Sequence, residues 1–160
     1  MKYKKQPDNT VLCGMFAMYN AKVWQGEECC LSEYTESLWS TLNTDEKGIC
    51  GAYLNPIILK SFKTKRVKFP KVSQVKNILN QGRSIIIRYK WVVGEKWGTH
   101  YCFLFKKGDS IYSINPHRDE KGNRPIKRKI IPYELSMMLK KAKVGNNQYP
   151  WIWPIERNNS

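Results

Sequence analysis

The run Ser84-Ile85-Ile86-Ile87-Arg88-Tyr89 constrains this chain more than any other stretch. Three consecutive isoleucines are stiff at the first side-chain torsion and fit a pleated surface better than a helix, so the run predicts a strand. Two more strands follow, Thr99 to Phe105 and Ser110 to Ile114, and Lys107-Gly108-Asp109 between them has hairpin-turn chemistry. Shorter strand signals lie at Arg66-Val67-Lys68-Phe69, which ends at Pro70, at Lys127 to Ile131, and at the alternating Trp151-Ile152-Trp153.

Upstream of these strands the pattern is helical. Leu12, Met15, Phe16, Tyr19 and Val23 share one helical face, and Gly26 is a plausible stop. Ser32 reads as the N-cap of a second helix, with Glu33 and Glu36 in its first turn and Leu31, Tyr34, Leu38 and Leu42 as its stripe. Thr44 to Gly48 reads as a loop. Asn55-Pro56 suits a cap and first position for a short helix carrying Ile57, Ile58, Leu59 and Phe62. Ser73 is the expected cap of a helix through Val75, Ile78 and Leu79, closed by Gly82, and Pro132 opens a last one with Leu135, Met138 and Leu139. Residues 116–126 form a loop. Helices first and mostly antiparallel strands after them describe an α+β fold. With 160 residues, no internal repeat and no visible boundary, the expectation is one domain spanning 1–160.

Composition narrows the class. A hydrophobic fraction of 41% with 12% aromatics suits a packed core rather than a disordered chain. No apolar run approaches the roughly 20 residues that cross a bilayer, and no apolar segment follows Met1 to Gln6, so neither a span nor a secretory signal is expected and the chain reads as cytoplasmic. The five cysteines (Cys13, Cys29, Cys30, Cys50 and Cys102) lack paired Cys-x-x-Cys spacing. Reduced thiols with no metal and no cofactor are therefore expected. The net charge of +15 favours acidic partners, or else is a solvated basic face.

Cys13 begins the first helical run, where unpaired backbone N–H groups and the positive end of the helix dipole favour a thiolate. Gln6, on the extended segment before it, can offer an amide N–H toward the same point. A nucleophile with two donors nearby is what acyl transfer requires, whereas a lone cysteine of this kind otherwise packs as a small hydrophobe. The matching base is His100, at the head of a strand after Gly98-Thr99. Counted outward from the turn at Gly108, His100 and Asn115 fall near the same rim of an antiparallel pair. The Asn115 side chain can then accept from one ring nitrogen and leave the other to take the Cys13 proton. His117 is a second candidate base and Asp119 a rival orienter. Trp91 and Trp97 flank the stretch leading to His100 and, with Gly98, are candidates for a wall of the substrate cleft.

In the order Gln6, Cys13-Gly14, Gly51 to Phe62, Val72 to Ile87, His100-Tyr101 and Asn115-Pro116, the chain resembles the papain-like cysteine peptidases. It is most similar to the compact bacterial branch related to bacteriocin-processing double-glycine leader peptidases. The resemblance extends to the helix after Pro132. It implies a papain-like fold with the nucleophile at the N-terminus of the first helix, packed on the sheet. It also implies Cys13 as nucleophile, His100 as general base and acid, Asn115 as orienter, and Gln6 with the Cys13 backbone N–H as the oxyanion hole. The compact branch usually carries Asp where this chain has Asn115, and a neutral orienter stabilises an imidazolium less. Phe16 stands where a small residue is often found.

These readings converge on an intracellular thiol hydrolase that cleaves a peptide or isopeptide bond through a Cys-His-Asn triad and an acyl-enzyme. A Cys–His ion pair would hold the thiolate several units below the free value of about 8.5. The same site chemistry serves deamidases, acyltransferases and transglutaminases. A different class is an inactive basic binding protein for nucleic acid or an acidic protein, suggested by Lys60, Lys63, Lys65, Arg66, Lys68 and Lys71, and by Arg118, Lys121, Arg124, Lys127, Arg128 and Lys129. The expected substrate is a peptide or protein, acidic if the charge steers it.

Overall fold

The computed structural model describes residues 2–7, 13–27 and 51–158, the side chains of 51–53 excepted. Its helices and strands form an α+β arrangement: α1 (Cys13–Trp24), α2 (Gly51–Phe62), β1 (Val67–Lys68), α3 (Val72–Asn80), β2 (Ser84–Val93), β3 (Lys96–Lys107), β4 (Ser110–Ile114), β5 (Lys127–Ile130), α4 (Pro132–Met138), β6 (Ala142–Val144), β7 (Asn147–Tyr149) and β8 (Trp151–Ile155). Six strands make one sheet in the order β1-β8-β2-β3-β4-β5, and β6 and β7 pair separately. Every described pairing is antiparallel.

β2 sits near the middle of the sheet, between β8 and β3. Ile85, Ile86 and Ile87 are all fully buried, which requires cover on both faces. On one side Ile86, Tyr101 and Phe103 pack with Met15 and Met18 of α1 and with Leu54 and Ile58 of α2. On the other, Ile85, Ile87 and Leu104 pack with Val75 and Leu79 of α3 and with Leu135 and Met138 of α4. Buried apolar side chains on both faces of β2 are the reason its run shows no polar alternation. None of the described helices is long and apolar enough to cross a membrane.

The hairpin at Gly108 forms as expected. Lys107 pairs with Ser110, so the connection is the two residues Gly108-Asp109, and Gly108 takes a φ of 61° that an L side chain adopts only with strain. A second hairpin of the same length, absent from the sequence reading, joins β2 to β3 through Gly94-Glu95. It carries both strands well past Tyr89 and Thr99, so Gly98 and His100 stand inside a strand rather than at the end of a loop.

Two expected caps and one expected helix start move. The N-cap of α3 is Lys71, not Ser73, and the Gln74 side-chain oxygen accepts the Lys71 N–H at 2.8 Å. Pro56 lies inside α2 instead of opening it. Asn55 likewise lies inside α2, and its side-chain oxygen accepts from Trp153 Nε1 at 2.8 Å. The Ser32-capped helix and the Thr44 to Gly48 loop lie outside the described residues.

Candidate active site

The N-terminal segment reaches the site because it is tied along α1. Tyr3 packs on Phe103 and Phe105, with ring centroids 6.3 and 5.6 Å away. Buried Asn20 of α1 accepts from the Lys4 N–H at 2.9 Å and donates to the Lys4 carbonyl at 2.8 Å, so both ends of the amide hold the strand-like segment. Lys5 Nζ donates to the Arg124 carbonyl at 2.8 Å. Gln6, only 3% exposed, is thereby delivered to the end of β4.

There it meets Asn115, and the two residues close a ring of hydrogen bonds. The Gln6 N–H donates to Asn115 Oδ1 at 2.9 Å, and Asn115 Nδ2 donates to Gln6 Oε1 at 2.9 Å. Asn115 has a φ of 57°, a left-handed conformation that asparagine accepts more readily than most residues. That turn takes the chain off β4, whose last pair is Ile114 with Phe103, and swings the Asn115 carbonyl to His100 Nε2 at 2.6 Å. The orienting contact expected from the Asn115 amide is therefore made by its main-chain oxygen, and the amide is spent on Gln6. A carbonyl oxygen only accepts, so Nε2 carries the ring proton and Nδ1 keeps the lone pair.

Cys13 meets β3 at the residue that follows His100. Its sulfur lies against the backbone N–H of Tyr101, next after His100 in β3, and against its neighbour Gly14 N–H at the start of α1. Gly14 explains the Cys-Gly pair: a Cβ there would come within 2.5 Å of Leu54 Cδ2 and 3.3 Å of the Tyr101 ring. A side chain at this position would require Leu54 and Tyr101 to shift, so glycine lets α1 approach β3 and α2 this closely. Phe16 is buried in α1 at 4% exposure.

The electrostatics differ from the expected ion pair. Burial pushes the Cys13 thiol above its ordinary value, although the Tyr101 N–H and then the charges of Arg88 and Arg124 pull it down. Burial likewise holds the His100 imidazole down, to about 3, with the Asn115 carbonyl acting the other way. The backbone donors and two arginines do not outweigh desolvation here, so the thiol and the imidazole each rest neutral.

No family model matches this chain, and no curated protein matches it.

The rival site residues have other employment. His117 Nδ1 is 2.6 Å from the Tyr89 hydroxyl, and its ring stacks on Trp91 at 5.7 Å and 1°. Asp119 Oδ1 accepts from the Lys121 and Asn123 N–H groups, each at 2.9 Å, which organises its own loop. The tryptophans split. Trp91 pairs across the strands with Gly98 and Trp97 with Val92, which puts the two indoles on opposite faces of the sheet. Trp91 lines a cavity of about 670 Å³ that Trp97, 56% exposed, does not reach. A shared Trp91–Trp97 wall is thus ruled out by alternation along two paired strands.

Arg88 was missed by the sequence reading. Its NH1 donates to the Tyr101 hydroxyl at 3.1 Å, and the guanidinium lies 4.9 Å from the ring centres of both Tyr101 and Tyr149. Its Nε is buried without a hydrogen-bond partner. Within the β2 run it looked like a polar interruption, and only cross-strand pairing with Tyr101 brings it toward Cys13. Among the described residues no group of three or more His, Cys, Asp or Glu side chains gathers where a metal would sit.

Proposed function

We propose that this chain is a papain-like thiol hydrolase acting on a peptide or isopeptide bond. The observation that carries the reading is the closed hydrogen-bond ring of Gln6 and Asn115, which holds His100 through the Asn115 carbonyl one residue from the Tyr101 N–H on the Cys13 sulfur. These groups come from the N-terminal segment, α1, β3 and the end of β4, and structural demand alone does not call for that meeting.

In this mechanism the Cys13 sulfur attacks the substrate carbonyl carbon while His100 Nδ1 takes the thiol proton. The neutral resting pair makes this a general-base-assisted attack, not an attack by a stored thiolate. Negative charge moves to the carbonyl oxygen, where the Gln6 amide nitrogen and a backbone N–H at the start of α1 would receive it. His100 returns the proton to the leaving amine as the C–N bond breaks. Water then attacks the thioester, releasing the carboxylate product and restoring the thiol. Arg88 and Arg124 favour each anionic state along this path. An amine acceptor in place of water would give transfer by the same steps.

A peptidyl vinyl sulfone tests the reading, because its addition needs the nucleophile and the base together. Mass spectrometry should find one adduct, on Cys13, and His100→Ala should slow its formation at least a hundredfold while circular dichroism stays unchanged. Labelling of Cys13 at equal rates in both proteins, or no labelling of Cys13, would remove the catalytic assignment.

A further inference from the structure

Of the large apolar side chains that the described residues leave exposed, Tyr133 at 71% and Met137 at 41% line one cavity. It has about 670 Å³, opens between the end of β2 and α4, and is floored by Trp91, Met138 and Ala142. Its rim carries Lys140, Lys141 and Lys143. Glu134, the one acidic residue of the lining, is held by Arg128 NH2 at 2.6 Å. Lys141 lies over the Phe69 ring, and no described carboxylate forms an ion pair with any of the three lysines.

We infer that this cavity binds an acidic peptide segment through an aliphatic anchor side chain, the lysines taking the flanking carboxylates. Charge complementarity sets the sign of the ligand, since the rim is cationic and its single carboxylate is already neutralised. The floor sets the rest. Methionines adapt to an irregular aliphatic side chain. A stacked nucleobase fits less well, because His117 lies flat on the Trp91 indole and Gly98 sits against the same ring, where a Cβ would be 2.9 Å from it. The cavity is also in reach of the site. Tyr89 lines it while its ring meets His100 edge-on at 6.2 Å and 89°. Under the hydrolase reading this is a substrate-recognition subsite, whereas the binding itself stands without that reading.

Fluorescence anisotropy on the Cys13→Ala protein separates the two. The probe is a fluorescein-labelled decapeptide with a central leucine flanked by aspartates and glutamates. Controls are the same peptide with asparagine for leucine, a lysine-flanked version, and a labelled mixed-sequence single-stranded oligonucleotide. The acidic leucine peptide should bind best, and the Lys140→Glu, Lys143→Glu double variant should weaken it at least tenfold. Met137→Asp should do the same and erase the leucine preference. Binding that ignores both variants, no saturable peptide binding up to millimolar concentration, or an oligonucleotide that binds tighter and loses affinity in the same variants would overturn the proposal. Failure of vinyl sulfone labelling, by contrast, would leave this result untouched.

Discussion

Two regions of the same sheet stand side by side and are built in opposite ways. Where the end of β4 meets β3, Gln6, Asn115 and His100 hydrogen-bond to one another in a nearly dry setting, with exposures of 3%, 0% and 4%. A few ångströms on, past Tyr89, the cavity beside α4 exposes apolar side chains and carries lysines with no described carboxylate partner. A closed, satisfied network keeps one geometry, which suits chemistry that needs fixed atoms. An open apolar floor with a charged rim gains by being covered, which suits recognition.

The largest expected break lies in the closed region. Gln6→Ala should lower kcat by about 10²–10³, the usual effect of losing one oxyanion donor. Asn115→Ala should cost a comparable amount, because it frees Gln6 while leaving the carbonyl that holds His100. The double variant should be no worse than either single one; steady-state kinetics showing additive losses would mean that the two residues act independently.

The next prediction concerns acid. His100 at about 3 and His117 at about 4 both lie below their ordinary 6.5 because burial opposes the charged ring. Between those values the unfolded chain binds protons that the folded chain refuses. Their contribution to stability is therefore complete above pH 6.5 and lost as pH falls toward 4, at about 1.4 kcal/mol per pH unit for each histidine. Urea melts from pH 7 to pH 4.5 should show this slope, and His117→Gln should roughly halve it. A stability flat across that window would mean that the rings are not buried neutral.

A smaller effect separates packing from chemistry at the helix start. Gly14→Ala forces a methyl group against Leu54 and Tyr101 and should cost about 1–3 kcal/mol, read by thermal melting. The smallest is Arg88→Gln. Removing a cation beside the Cys13 sulfur should move the pH dependence of iodoacetamide alkylation at Cys13 upward, with little change at buried Cys102, whose thiol burial already pushes up to about 12.

Much of this architecture was legible residue by residue. The isoleucine run, the Gly108 turn, Pro132 at a helix start and alternation at Trp151 to Trp153 each carry a local signal, and each element formed. Hairpin signals were weaker where Gly94-Glu95 joins β2 to β3, since the adjacent Trp91, Val92 and Val93 break the alternation there. Gln6, His100 and Asn115 were recoverable as a set, because the order of their residue types suggested acyl transfer. Arg88 carried no such signal. A charged residue inside an apolar strand means something only once the facing strand is known.

The division has a physical cause. Local backbone preferences and short-range turn chemistry depend on residues within a few positions, so the amino-acid order alone settled where strands, turns and several helices lie and which polar residues were available for a site. Which atom of Asn115 meets His100 and whether Cys13 is held above or below its ordinary titration range depend on partners about 15 to 109 positions away and on how much water they exclude, and which side of the sheet receives each tryptophan depends on the register of β2 with β3. Desolvation and cross-strand register exist only in the packed molecule, and here they leave the Cys13 thiol and the His100 ring each neutral and replace an expected amide contact with a carbonyl.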